Sequence, residues 1–227
     1  MPTFAPPRAA IFDMDGLMLD TERIAIDCWL DAASSLDIPF PHSAALGMVG
    51  MHISKAPAYL TDLFGHDFPT ESLLAATHQR YLQATLAPIP LKHGLLPLLD
   101  WLEAATLPKA VATSTRRSIA EHHLTAVDIL RRFSHTVCGD EIEHPKPAPD
   151  IYLKAASLLC VKPEQCIVFE DSNFGVAAAH AAGCRVIMVP DLKDPTPETL
   201  ALGVPVVASL AEAQRVAADW LAVQTGA

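Results

Sequence analysis

Two short acidic runs carry the clearest chemical promise in this 227-residue chain. Asp13-Met14-Asp15-Gly16 follows the apolar run Ala10-Ile11-Phe12, and Glu170-Asp171 follows Cys166-Ile167-Val168-Phe169. An Asp-Gly at a strand-to-turn junction is common on its own, but two acidic pairs ending two apolar runs in the same manner bring carboxylates to one sheet edge. Such groups repel one another unless a cation is present, and an all-oxygen cluster suits a hard ion such as Mg2+. A third run, Lys109 to Ala112, ends in Thr113-Ser114-Thr115 ahead of a helix predicted from Ser118. Hydroxyls and free backbone N–H groups then meet at a helix N-terminus, where phosphate binds readily, although Ser and Thr are also ordinary helix caps. Lys146 lies in His144-Pro145-Lys146-Pro147-Ala148-Pro149-Asp150, where flanking prolines fix its backbone. Such a turn often carries a surface lysine; here the carboxylates call for a compensating cation.

The elements that must position these residues are short β-branched or apolar runs: Ala9–Phe12, Lys109–Ala112, Thr136–Cys138, Cys166–Phe169 and Val186–Val189. Runs of this length read as strands buried on both faces. Their alternation with helices predicts a doubly wound parallel α/β sheet, whose ligands bind at the C-terminal strand ends. A sixth strand is expected at Val204–Ala208. Nearly a hundred residues separate the first two strands, so a separate helical unit is expected from about Glu22 to Ile89, with helices at Ile24–Leu36 and Glu71–Leu86. Pro88-Ile89-Pro90 would form a stiff strap back to the core. The expected division is a discontinuous core, 1–20 and 91–227, around a helical cap, 21–90.

Composition bounds the partners. A hydrophobic fraction of 51% with 19% charged residues suits a packed core, and a net charge of -10 argues against a duplex nucleic-acid partner. The five cysteines, Cys28, Cys138, Cys160, Cys166 and Cys184, form no CxxC pair and are expected to be buried thiols of a cytoplasmic protein. The ten histidines show no metal spacing, and His122 and His123 should point to different sides of a helix. Met1 to Arg8 has no apolar run of the signal-peptide or membrane kind. No membrane or obligate protein partner is inferred.

Taken in order, DMDGLMLDTE, the ATST strand end, KPAPDIY and FEDSNFGVAAAHAAGCRVIMV resemble the haloacid dehalogenase superfamily over almost the whole chain. Within it they resemble the phosphatases and phosphomutases whose helical cap follows the first strand. The resemblance implies that Asp13 is the nucleophile forming an aspartyl phosphate and Asp15 the general acid and base. It implies Mg2+ held by the Asp13 carboxylate, the Asp15 backbone carbonyl and Asp171, with Glu170 as a further or alternative ligand. Thr113 and Lys146 would stabilise the phosphoryl oxygens, and Gly16 and Gly175 would allow tight turns and close approach. Substrate contacts are expected from Gly16, Ser114, Thr115, Arg116 and, in the cap turn Gly50-Met51-His52-Ile53-Ser54-Lys55, from His52 and Lys55.

The implied activity is hydrolysis of a small phosphorylated metabolite of the sugar phosphate or phosphoglycolate class. Asp15 argues against dehalogenation, since the dehalogenases of the superfamily lack this second aspartate, and nothing around Lys55 supports phosphonate hydrolysis. A sugar phosphomutase of the β-phosphoglucomutase type is the alternative. Its cap histidine position falls here at Ala25 and its cap arginine is missing, while Arg116 aligns with a basic position for a second phosphate. A non-catalytic binding module is the remote alternative, disfavoured because every position the chemistry needs is filled. From Thr21 to Pro90 three basic residues face seven acidic ones, so the core must hold the phosphoryl group.

Overall fold

The computed structural model describes residues 6–222; the start of the N-terminal stretch, residues 1–5, lies outside the described residues. The apolar runs form five parallel strands, β1 (Ala9–Phe12), β2 (Lys109–Ala112), β3 (His135–Val137), β4 (Cys166–Glu170) and β5 (Arg185–Met188), in the order β3-β2-β1-β4-β5. Every residue of β1, β2 and β4 is buried, which is why they do not alternate apolar with polar, the charged exceptions being Lys109 at the start of β2 and Glu170 at the end of β4. Register sets the site. Phe12 pairs with Val111 on one side and Phe169 on the other, so Asp13, Thr113 and Glu170 leave the sheet at one edge, where the strand order reverses.

Among the described residues ten α-helices accompany the strands: α1 (Thr21–Ser35), α2 (His42–Met48), α3 (Ala56–Phe64), α4 (Thr70–Ala84), α5 (Leu95–Ala104), α6 (Arg117–Ala126), α7 (Asp150–Leu158), α8 (Asn173–Ala181), α9 (Pro197–Ala201) and α10 (Leu210–Ala222). Alternate residues of β1 serve opposite faces. Ala10 and Phe12 pack with Leu95, Leu98, Leu124 and Leu210 of α5, α6 and α10, whereas Ala9 and Ile11 pack with Ile151, Tyr152, Val176 and Ala179 of α7 and α8. Burying a side chain such as Phe12 or Ile11 contributes roughly 1.5–3 kcal/mol.

The helices α1–α4 gather around an apolar cluster of their own, including Ile26, Trp29, Leu60 and Leu73. Phe40 lies against Trp29 and Phe64, with ring centroids 6.0 and 5.7 Å away, and Phe64 stacks on Phe68 at 4.4 Å. The two chain crossings into this helical insertion lie side by side: Leu19 bridges Leu91, Asp20 N donates to Pro90 O at 3.0 Å, and Lys92 N donates to Met18 O at 2.9 Å.

Several boundaries differ from expectation. The segment at Val204–Ala208 makes a single bridge, Met188 to Val206, instead of a sixth strand; Pro205 has no N–H with which to extend a ladder. The third strand begins at His135 rather than Thr136 and ends at Val137, and β5 begins one residue early, at Arg185. Helix α1 starts at Thr21, three residues before the apolar pattern, and α4 ends at Ala84 rather than Leu86. Four cysteines are buried, but Cys160 is exposed, just past α7 with φ 58°. His122 is exposed and His123 buried, as the helical geometry requires.

Candidate active site

Lys146 is the hub of the site. Its Nζ, buried at the C-terminal edge of the sheet, donates to Asp13 Oδ1 at 2.5 Å, Glu170 Oε1 at 2.6 Å and Ala112 O at 3.2 Å. Burial opposes the ammonium charge, but the Asp13 and Glu170 carboxylates outweigh it and hold its pKa well above the ordinary lysine range. Glu170 is fully enclosed. Its Oε1 also accepts from Tyr152 OH at 2.7 Å, and its Oε2 from Ser172 N at 2.9 Å and Ser172 Oγ at 3.0 Å. Four donors occupy its roughly four lone-pair directions. In this geometry Glu170 fixes Lys146. Gly175, in α8, presses so close that a Cβ there would overlap the Glu170 carboxylate.

Asp15 is held from the β2 end. Its Oδ2 accepts from Thr113 Oγ1 at 3.0 Å and Thr115 Oγ1 at 2.8 Å, and Thr115 N donates to Thr113 Oγ1 at 3.0 Å. The one O–H of Thr113, expected on a phosphoryl oxygen, is therefore engaged by Asp15. Gly16 turns the chain with φ 81°, in the left-handed region, and a side chain there would collide with Asp171.

Lys146 alone does not balance these carboxylates. Asp171 is 4% exposed and its Oδ1 has no hydrogen-bond partner; burial, then Glu170, Asp13 and Glu22, push its pKa well up. Burial likewise raises Asp13, against the pull of Lys146, with Glu170 and Asp15 adding to the rise. Glu22 is a site neighbour that sequence reading missed. Its carboxylate accepts from Gly50 N at 3.1 Å, and burial with the nearby Asp15 pushes its pKa to about 7. Among the described residues no three His, Cys, Asp or Glu side chains group as a metal centre; the expected set is the Asp13 and Asp171 carboxylates and the Asp15 carbonyl, with Glu170 as a further or alternative ligand. An orphaned buried carboxylate oxygen beside other acids, with Lys146 as the cation among them, fits a hard cation bound through oxygen.

The Gly50 turn does face the core. Its Gly50 backbone abuts Ser172, and Lys55 Nζ donates to the backbone carbonyl of Lys146 at 3.2 Å and lies 5.5 Å from the Phe174 ring centre. His52 Nδ1 sits 2.7 Å from Ser54 Oγ, and its pKa is lowered by burial and by the charges of Lys55 and Arg116. Arg116 is exposed at the start of α6, and Ser114 is half-buried in the same loop. A cavity of about 30 Å³ lined by Val49, Asp171, Ser172, Asn173, Phe174 and Lys193 lies between insertion and core. A larger surface recess, around Leu96, Asp100, Glu103 and Arg132, is remote from these groups. Tyr152 and Ser172 lay within the KPAPDIY and FEDSNFGVAAAHAAGCRVIMV stretches with no role assigned to them, and Lys193 left no signal in the sequence.

A parallel sheet with a helical insertion after its first strand, and an Asp-x-Asp loop facing a buried lysine, define a class of phosphate-handling enzymes. A family model described as haloacid dehalogenase-like hydrolase matches residues 10–189, and the chain belongs to that family. It is 31% identical to fructose-1-phosphate phosphatase YqaB of Escherichia coli over 79% of this chain and 94% of that protein. It is 34% identical to a probable pseudouridine-5'-phosphatase of Drosophila melanogaster over 80% of each. Among solved structures, a putative beta-phosphoglucomutase from Thermotoga maritima superposes with a TM-score of 0.74 at 28% identity, covering 93% of this chain and 99% of that one.

Proposed function

We propose that the protein is a Mg2+-dependent phosphoric monoester hydrolase acting on a small phosphorylated metabolite through an aspartyl phosphate at Asp13. The observation that carries the reading is the pairing of Asp13 with Lys146 at the sheet's switch point, beside the unpartnered oxygen of Asp171. Lys146 holds Oδ1 of Asp13, which leaves Oδ2 to attack phosphorus. The bond from phosphorus to the ester oxygen breaks as the new bond to Asp13 forms. The departing oxygen takes a proton from Asp15. Because Oδ2 of Asp15 is anchored by Thr113 and Thr115, its Oδ1 is the atom that presents the proton. Asp15 then takes a proton from water as that water attacks phosphorus, releasing inorganic phosphate and regenerating Asp13. Asp13, Asp171 and the Asp15 carbonyl would hold Mg2+, which supplies charge neutralisation at the phosphoryl oxygens. Lys146 binds those oxygens from the protein side.

Residues 21–90 serve as a cap over this core, excluding water and contributing His52, Lys55 and, from the core rim, Arg116 to recognition of the rest of the substrate. The names of the similar proteins, fructose-1-phosphate phosphatase among them, support a phosphorylated carbohydrate or nucleoside. Among the described residues no helix is long and apolar enough to cross a membrane. The free thiols of Cys28, Cys138, Cys160, Cys166 and Cys184 support a reducing, cytoplasmic setting. A panel of sugar and nucleoside monophosphates, with and without Mg2+, tests the reading. Metal-dependent phosphate release from at least one of them is expected; phosphate transfer within a sugar without release would indicate a mutase, and no turnover a binding module.

A further inference from the structure

Three consecutive residues after β5 each grip the helical insertion from the core. Asp191, whose side chain is 3% exposed, accepts from Lys92 Nζ at 2.6 Å and from Arg23 Nη1 at 3.0 Å, and Arg23 also pairs with Asp20 at 2.5 Å. Asp20 lies on the first chain crossing and Lys92 just beyond the second, so one buried carboxylate ties both crossings together. Leu192 packs into the apolar cluster of the insertion. Lys193 Nζ donates to Gly47 O at 2.7 Å and Val49 O at 2.8 Å. These carbonyls end α2, where helix geometry leaves acceptors without intrahelical partners. The chain they belong to continues directly into the Gly50 turn, which abuts Ser172 and carries Lys55 onto the backbone of Lys146.

We infer that Asp191-Leu192-Lys193 is the latch that seats the cap turn on the active site, with Lys193 as a positioning residue that acts through residues 47–55. Asp191 fixes the pivot. The two bonds from Lys193 reach 146 and 144 residues along the chain and exist only when the turn is seated; swinging the cap away breaks them while the ion pairs at the crossings persist. Together with the Glu22 bond to Gly50 N, they clamp the turn from two sides. The latch itself stands on this geometry, whereas its effect on turnover rests on the phosphatase reading.

The test compares wild type, Lys193→Met and Lys193→Arg by hydrogen exchange and by steady-state kinetics with a phosphorylated sugar. Methionine keeps the stem and removes the donors; arginine keeps donors. In Lys193→Met, amides of residues 47–55 should exchange at least about tenfold faster, as expected for losing two charge-assisted hydrogen bonds, with β1 and β4 unaffected. The kcat/KM value should fall by at least about tenfold, and Lys193→Arg should recover most of both losses. Unchanged exchange in the turn, a uniform rise across the chain, or an arginine variant no better than methionine would each overturn the latch. A wild-type protein that hydrolyses no phosphate ester would instead refute the phosphatase reading, with the exchange comparison still deciding the latch.

Discussion

Tyr152→Phe isolates the claim that Glu170 is a fixed acceptor rather than a metal ligand. Tyr152 is fully buried and its hydroxyl donates to Glu170 Oε1 at 2.7 Å. The substitution removes one oxygen, leaves the ring 5.0 Å from Lys146 Nζ, and opens no cavity worth a side chain. What is lost is a hydrogen bond to a buried charge, worth about 1.5–3 kcal/mol. Taking ~2 kcal/mol, a domain of this size should lose about 4–8 °C in Tm. Urea unfolding should show the same loss as a shifted midpoint with an unchanged slope. Because Ser172 and Lys146 still hold Glu170, the Mg2+ concentration for half-maximal activity should stay within about twofold of wild type. A stability change below about 0.5 kcal/mol, or a sharply raised Mg2+ requirement, would refute the reasoning.

Other outcomes follow from the same geometry. Thr115→Val should reduce kcat by roughly tenfold for alkyl phosphates and less for an activated aryl phosphate, because the leaving group of the latter needs no proton from Asp15; equal losses would contradict the acid role. In chelator, the raised carboxyls bind protons more tightly folded than unfolded. Their stabilising contribution is therefore present at low pH and fades as pH rises from the ordinary carboxylate range through about 7, the value for Glu22. Mg2+ should accordingly raise Tm more at pH 8 than at pH 6, and an equal rise at both would contradict the cation site. Asp171→Ala should fold and require much more Mg2+ for the same rate, as one of few protein ligands is gone; an unchanged requirement would remove it from the metal site. His52→Ala and Lys55→Ala should reorder natural substrates by kcat/KM while leaving aryl phosphate hydrolysis within about tenfold.

The fold was legible because β1, β2 and β4 are buried on both faces, which favours apolar runs without alternation, and because acidic or hydroxyl residues end each of them. Strand-end level, which decides whether Asp13, Thr113 and Glu170 share an edge, follows from register and is invisible in one sequence. The sixth strand failed on Pro205, a residue that carries its own warning. At the site, residue types were readable but partners were not. Glu170 looked like Asp171 in sequence; only the third dimension shows that Tyr152, Ser172 and Lys146 enclose the first and leave an oxygen of the second bare. Thr113 and Thr115 were read as phosphate-facing hydroxyls, and both point to Asp15. Lys193 and Asp191 sit in a loop with no local pattern, so their grip on the insertion depends on contacts more than a hundred residues away.

The central claim is that the Asp13 carboxylate attacks phosphorus, and chemical trapping tests it most directly. The wild-type protein is mixed with a phosphorylated sugar and Mg2+, quenched in acid during turnover, and reduced with borohydride, which converts an aspartyl phosphate to homoserine. Peptide mass spectrometry should find homoserine at position 13 only when substrate is present, and none in Asp13→Asn. Phosphate release with an unmodified Asp13, or a reduced residue at Asp15 or Asp171 instead, would contradict the account.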